Sequence, residues 1–139
     1  MTQNSLNGRK TLLGNTNLLQ TIIRGLGLLL LAVGLLVWCG SLGSLIPVHV
    51  CLGGMLTLAL FAVLYSAHQV GVSKRLIALG VVWYSALPVF GLAHAQFFAA
   101  SDVFVKISQI SHVLCAFGAI GLAEVLAGQT RRKVKTISA

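Results

Sequence analysis

The stretch that decides the fold is LLQTIIRGLGLLLLAVGLLVWC, residues 18–39, which is apolar over most of its length and carries a single charge, Arg24. A helix needs about 20 predominantly apolar residues to cross the hydrocarbon core of a bilayer. Three more stretches of similar length follow. The four predicted spans cover residues 18–39, 47–69, 75–98 and 106–128. The sequence therefore predicts an all-α polytopic membrane protein, a bundle of four transmembrane helices.

The overall composition supports a lipid environment. The chain has 139 residues, of which 57% are hydrophobic and 9% are charged, and its mean hydropathy is +0.93. About a quarter of the residues of a soluble domain are charged. A chain this short leaves much of its surface exposed after folding, so a large core cannot explain the missing charges. The solvent for most of that surface is expected to be the lipid bilayer.

The basic residues predict the orientation in the membrane. The net charge is +8, and nine of the ten Lys and Arg residues precede or open the first span, lie between spans two and three, or follow span four. These nine are Arg9, Lys10, Arg24, Lys74, Arg75, Arg131, Arg132, Lys133 and Lys135. Short basic loops stay on the cytoplasmic side. We therefore predict a multi-pass protein of the inner (plasma) membrane with both termini cytoplasmic, and no nucleic-acid partner.

Two polar segments flank the predicted spans. Residues 1–17 form a polar N-terminal segment, and residues 129–139 form a basic tail. Both are expected to be cytoplasmic under the orientation given by the basic residues.

Three histidines are predicted to lie near one membrane face. With this orientation His49, His94 and His112 lie in the outer leaflet, within about 10 Å of the interface at a rise of 1.5 Å per residue. Ionisable groups at membrane depth are by default functional candidates. A small residue lies one helical turn from each histidine: Gly53, Gly91 and Ala116.

This arrangement predicts a cofactor site. A haem b held by two histidines in a helix bundle needs two neutral imidazoles at like depth and room for the macrocycle. The best ligand pair is His49 with His112, and His94 could replace either. Trp83 and Tyr84 lie in the middle of span three, where they could face a cofactor or a partner subunit.

Other interpretations stay open. Small residues at helical spacing are also the usual means by which membrane helices pack. The chain would then be a non-catalytic accessory subunit of a larger membrane complex, or a homo-oligomer. Its histidines would bind lipid, a chlorin pigment or neighbouring chains, or the chain would hold no cofactor. A small transporter is the third hypothesis. A stand-alone enzyme is disfavoured, because Asp102 and Glu124 belong to opposite sides and no nucleophile–base pair or phosphate loop appears.

A family resemblance points the same way as the histidines. The patterns His49-x3-Gly53 and His112-x5-Gly118, at the starts of spans two and four of a short four-helix chain, resemble small membrane cytochromes of the cytochrome b561 type. The resemblance implies haem b and electron transfer. That family usually carries histidine pairs on both leaflets, whereas the inner side here offers only His68, so one haem is expected.

Glu124 is the one acidic residue inside a predicted span, about two helical turns from its cytoplasmic end. His68 also lies toward that side, so the two residues form a possible inner-side polar pair. The pair could be a proton relay, or Glu124 could form a structural ion pair or hydrogen bond with His68, Arg75 or Ser66. We favour the structural interpretation, because a transporter normally needs more polar groups within the membrane.

The three cysteines allow several interpretations. Cys51 and Cys115 follow His49 and His112 closely, so thiolate and imidazole could share a metal ion. Cys39 and Cys51 flank the first outer loop and could form a disulfide in an oxidising compartment. We favour a third interpretation, in which all three are small hydrophobic side chains within the bundle.

Overall fold

The computed structural model describes the backbone of residues 3–40, 43–97 and 102–138, and the side chains of residues 16–40, 43–92, 103 and 105–136. Over these ranges the chain forms four α-helices and one short 3-10 helix, Gly43–Leu45. The α-helices are α1 (Gln3–Trp38), α2 (Ile46–Gln69), α3 (Lys74–Phe97) and α4 (Asp102–Ser138). All four are long and apolar enough to cross a membrane. The predicted all-α, four-helix bundle is confirmed.

Local sequence signals explain both ends of α2. Pro47 lies in the first turn of α2, where its missing N–H costs nothing and its fixed φ suits a helix. Gly71 adopts a positive φ of 73°, and its N–H donates to the carbonyl of His68. This left-handed residue ends α2 and turns the chain into α3. Helix α3 continues through Pro88.

Helices α1 and α4 extend beyond the predicted spans. Helix α1 begins at Gln3 and α4 continues past Gly128 to Ser138. Neither helix contains a proline, and the ends of the two helices pack on each other. Thr16 and Thr130 are each only 1% exposed. Hydropathy shows only where the apolar stretches end. Packing against a neighbouring helix stabilises helical structure beyond those ends.

The helices form a ring in the order α1, α2, α3, α4. Each helix contacts its two neighbours, and α2 also contacts α4 across the short diagonal. Within the described residues α1 and α3 do not contact each other. The core includes Leu60, Val63, Tyr84, Ala119 and Leu126. The N-terminal part of α1 and the end of α4 meet at the end of the bundle that holds the α2–α3 turn, which we call the basic end.

The outside of the bundle is as apolar as its inside. Leu28, Leu58 and Val82 are 68–73% exposed in the middle of their helices. Trp38 and Tyr65, which lie nearer the ends of α1 and α2, are also exposed. Because contiguous apolar surface of this extent is not stable in water, the bundle is surrounded by lipid.

Candidate functional site

His49 and His112 face each other inside the bundle. His49 lies in the first turn of α2 and His112 lies in the N-terminal half of α4, and both side chains are half-buried. Their ring centroids are 6.4 Å apart and the ring planes are inclined by 55°. The structure thus brings together the two histidines that the sequence analysis selected as the best pair.

A glycine on a neighbouring helix accommodates each ring. A Cβ atom on Gly34 of α1 would lie 3.1 Å from Cε1 and 3.6 Å from Nδ1 of His49. A Cβ atom on Gly91 of α3 would lie 3.3 Å from Cε1 of His112. Each of the four helices therefore contributes one residue to a single level of the bundle. We call this level, formed by Gly34, His49, Gly91 and His112, the histidine layer.

Sequence analysis identified only part of this layer. It selected Gly91 as the small residue near His94, whereas in the structure Gly91 adjoins His112 across the α3–α4 interface. It missed Gly34, because it searched for small residues on the same helix as each histidine. Depth in the membrane could have identified it. Gly34 lies near the end of span one, and the predicted topology places that end beside the start of span two, which contains His49.

The histidine layer lies at the opposite end of the bundle from the basic end. His49 and Val70 are separated along α2 by about 30 Å at 1.5 Å per residue. This separation matches the thickness of the hydrocarbon core, so the layer and the α2–α3 turn lie near opposite membrane faces.

One nitrogen of the layer lacks a partner. Nδ1 of His49 is buried and has no hydrogen bond within the described part of the chain. A buried polar atom without a partner costs roughly 1–3 kcal/mol. Such an atom requires an explanation, and an ordered water, a bound ligand or a functional constraint would each provide one.

The other three predicted site residues, His94, Gly53 and Ala116, are not part of the histidine layer as it is defined here. The backbone of His94 belongs to α3, but its side chain lies outside the described residues. A Cβ atom on Gly53 would meet nothing within 4 Å, so Gly53 borders open space. Ala116 is half-buried and packs against the apolar core.

Trp83 and Tyr84 both turn toward neighbouring helices. The indole N–H of Trp83 donates to the carbonyl of Cys115 at 2.9 Å, and its ring covers Gly118. Tyr84 is fully buried and packs edge-to-face on Phe61, with ring centroids 6.0 Å apart. Trp83 therefore packs one turn from His112 along α4, and Tyr84 belongs to the core.

A second group of polar side chains joins α1 to α4. Nε and Nη2 of Arg24 donate to the two carboxylate oxygens of Glu124 at 2.7 and 2.9 Å. Nε2 of Gln20 donates to the same carboxylate at 2.7 Å. Arg131 donates to Asn17 Oδ1 at 3.1 Å and also to Gln20 Oε1. We call these five residues the α1–α4 polar cluster.

This cluster replaces the predicted pairing of Glu124. Within the described residues no hydrogen bond links Glu124 to His68, and the His68 side chain is exposed. Ser66 instead donates to the carbonyl of Ala62. Sequence analysis did not consider Arg24 as a partner of Glu124. The missed signal was that Arg24 and Glu124 are opposite charges at similar depth in adjacent spans.

The three cysteines form no disulfide bond among the described residues. Cys39 and Cys51 are exposed and Cys115 is half-buried, so the disulfide considered between Cys39 and Cys51 is not formed. Among the described side chains, no group of three or more His, Cys, Asp or Glu residues is placed to hold a metal ion. A mixed imidazole–thiolate site of that size is therefore not seen there.

Among the described side chains, the facing imidazoles of His49 and His112 have coordinating chemistry, and a separate set of polar groups satisfy each other between α1 and α4. Comparison with known proteins does not add a family to these features. No family model, curated protein or solved structure matches the chain.

Proposed function

We propose that this chain is a small membrane subunit that binds one haem b between His49 and His112 and takes part in electron transfer. The observation that carries the proposal is the meeting of two imidazoles from α2 and α4 at one level of the bundle, with ring centroids 6.4 Å apart. The resemblance of the two histidine motifs to cytochromes of the b561 type supports the same assignment.

The spacing of the rings fits a shared metal ion. Two imidazoles that bind one metal from opposite sides, with metal–nitrogen bonds of about 2 Å, have ring centroids roughly 6 Å apart. The separation of 6.4 Å between His49 and His112 agrees with that value. A direct hydrogen bond between two imidazoles, with ring nitrogens within about 3 Å of each other, would also bring the rings close together. The distance is therefore combined with the surroundings of the rings.

The surroundings of the rings also fit axial ligands. Gly34 and Gly91 allow the neighbouring backbones to approach the imidazoles closely, and a Cβ atom at either glycine would crowd a ring. Nδ1 of His49 has no partner in the described part of the chain, and a neutral imidazole nitrogen is the commonest metal ligand in proteins. The residues present therefore suit a bis-histidine group.

Each part of the layer would have a separate role. Bound haem would supply one-electron redox chemistry, which no side chain of the layer can provide. His49 and His112 would bind the iron, and Gly34 and Gly91 would set the positions of the two rings. The apolar helices around the layer would limit access of water, which is one of the ways in which a protein sets a haem potential.

The position in the membrane suggests the setting of this activity. The distribution of basic residues favours placement of both termini in the cytoplasm, which would put the histidine layer in the outer leaflet of the inner membrane. An electron-transfer subunit needs a donor and an acceptor. We therefore expect the chain to work within a larger membrane complex or as a homo-oligomer.

Absorption spectroscopy of the purified protein tests the proposal. Protein produced with adequate haem supply should show a Soret band, and dithionite should produce a reduced α-band. His49→Ala and His112→Ala should each abolish both bands. His68→Ala is the matched control, because His68 is an exposed histidine on α2 at the basic end, and it should leave the bands unchanged.

Two outcomes would overturn the assignment. Absence of both bands from haem-supplied wild-type protein would favour the accessory-subunit interpretation. Loss of the bands in His68→Ala with retention in His112→Ala would place the site at the other end of the bundle.

A further inference from the structure

An open groove lies at the basic end, between the end of α2 and the last turns of α4. Its volume is about 530 Å³, and it is lined by Val70, Gln129, Arg132, Lys133 and Thr136. The four residues from α4 follow an i, i+3, i+4, i+7 pattern, so they share one face of the helix. We call this feature the basic groove.

Arg132 and Lys133, the two cations of the groove, lie on a different side of α4 from their neighbour Arg131. Arg131 turns toward α1, where Asn17 and Gln20 accept its hydrogen bonds. Arg132 and Lys133 are exposed on the other side of α4. The groove therefore concentrates positive charge that the α1–α4 polar cluster does not use.

The chain has no spare acid to neutralise this charge. Its only acidic residues are Asp102 and Glu124. Glu124 is bound by Arg24 and Gln20, and Asp102 begins α4, about 45 Å along the helix from Arg132. No acidic side chain is therefore left to pair with Arg132 and Lys133.

The depth of the groove indicates which anions lie beside it. Val70 directly follows α2, and Lys74 and Arg75 open α3 at the same level. The groove therefore lies where the hydrocarbon core gives way to the headgroup layer, in which lipid phosphates are the abundant anions. Basic pockets between transmembrane helices at this level are suited to anionic headgroups.

We propose that the basic groove binds the phosphate headgroup of an anionic membrane phospholipid. Arg132 offers a planar guanidinium that can contact two phosphate oxygens, and Lys133 offers a compact point charge. The Thr136 hydroxyl donates to the carbonyl of Arg132, which leaves the Gln129 amide as the neutral donor of the groove. Val70 provides an apolar wall beside which an acyl chain enters the bilayer.

Lipid binding to the full-length protein tests this proposal. The detergent-solubilised chain is titrated with phosphatidylglycerol or phosphatidylcholine, and bound lipid is counted by native mass spectrometry. Wild-type protein should prefer phosphatidylglycerol. The double variant Arg132→Gln/Lys133→Gln should lose roughly tenfold to thirtyfold in affinity for it, because each basic side chain near a surface contributes about fivefold.

A matched variant separates the groove from general surface charge. Lys74→Gln/Lys135→Gln removes the same charge from the same end, at exposed residues that do not line the groove, and should retain most of the affinity. Arg132→Lys keeps the charge but removes the two-pronged contact, so it should show an intermediate loss even if the double variant proves unstable.

Three results would overturn the proposal. Equal binding of the two lipids would exclude an anionic headgroup site. An equal loss in the two double variants would show that only overall charge matters. Displacement of phosphatidylglycerol by inorganic phosphate at similar concentration would show that the groove takes a soluble anion rather than a lipid.

Discussion

The histidine layer and the α1–α4 polar cluster both bring polar side chains into an apolar bundle. They differ in how far those side chains satisfy each other's hydrogen bonds. In the cluster, the carboxylate of Glu124 accepts bonds from Arg24 and Gln20, so the charges satisfy each other. In the layer, two rings face each other beside glycines, and Nδ1 of His49 has no partner in the described part of the chain. Polar groups that complete their own bonds hold helices together, whereas groups that do not are available to a ligand.

The largest expected effect comes from filling the space beside a ring of the layer. Gly34→Leu should displace the His49 imidazole, because even a Cβ atom would lie 3.1 Å from its Cε1. If the layer binds haem as proposed, the variant should lose most of it, since loss of the contacts that orient a metal ligand costs roughly 10-fold to 100-fold in metal affinity. The measurement is the haem-to-protein ratio after purification.

Gly25→Leu provides the control for this substitution. Gly25 lies on the same helix, and a Cβ atom there would meet nothing within 4 Å. The control should retain haem. Equal retention by both variants would show that Gly34 does not position His49.

A smaller effect is expected from opening the α1–α4 polar cluster. Glu124→Gln removes the charge that holds Arg24, and should lower the Tm without changing the haem spectrum. Arg24→Gln should do the same. The double variant should lose less than the sum of the two single losses, because the two side chains interact directly.

Thermal unfolding followed by circular dichroism in one detergent measures these changes. Arg75→Gln, which removes an exposed charge at the basic end, should leave the Tm unchanged. A loss of haem in Glu124→Gln at full helicity would contradict the division between a structural cluster and a ligand-binding layer.

The smallest expected effect concerns the buried hydroxyl of Tyr84. This oxygen has no hydrogen-bond partner among the described residues, although the side chain is fully buried. Tyr84→Phe retains the ring that packs on Phe61 and removes the unsatisfied group. It should raise the free energy of unfolding by about 1 kcal/mol.

Tyr65→Phe is the comparison for this variant, because Tyr65 is 65% exposed on α2 and should change little. Destabilisation by Tyr84→Phe would show that the hydroxyl has a partner, such as an ordered water, and would place a third polar site within the bundle.

The sequence was sufficient for those parts of the fold that depend on local signals. The apolar lengths predicted spans 47–69 and 75–98, whose ends lie within one residue of the ends of α2 and α3. The same reasoning ended α4 at Gly128, ten residues early, because hydropathy reports where lipid contact ends. Thr16 and Thr130 are nevertheless buried, so α1 and α4 continue as packed helices beyond the apolar stretches.

The sequence predicted the depth of the site residues in the membrane, but it did not predict the direction in which each side chain points around its helix axis. Residue counts from the loops were enough to place His49 and His112 at the same level. They could not show which face of α1 turns inward, so Gly34 was missed and Glu124 was paired with His68 instead of Arg24. The direction of a side chain around its helix axis depends on all neighbouring helices at once, and single-span patterns do not contain that information.

The composition of the histidine layer has a consequence for the order of assembly. The layer takes one residue from each helix, and its second imidazole comes from α4. During synthesis, a chain whose first three helices have entered the membrane holds Gly34, His49 and Gly91 but only one half of the facing pair. Any group held between the two rings must therefore arrive after the last helix has been inserted, so that acquisition of the ligand reports completion of the bundle.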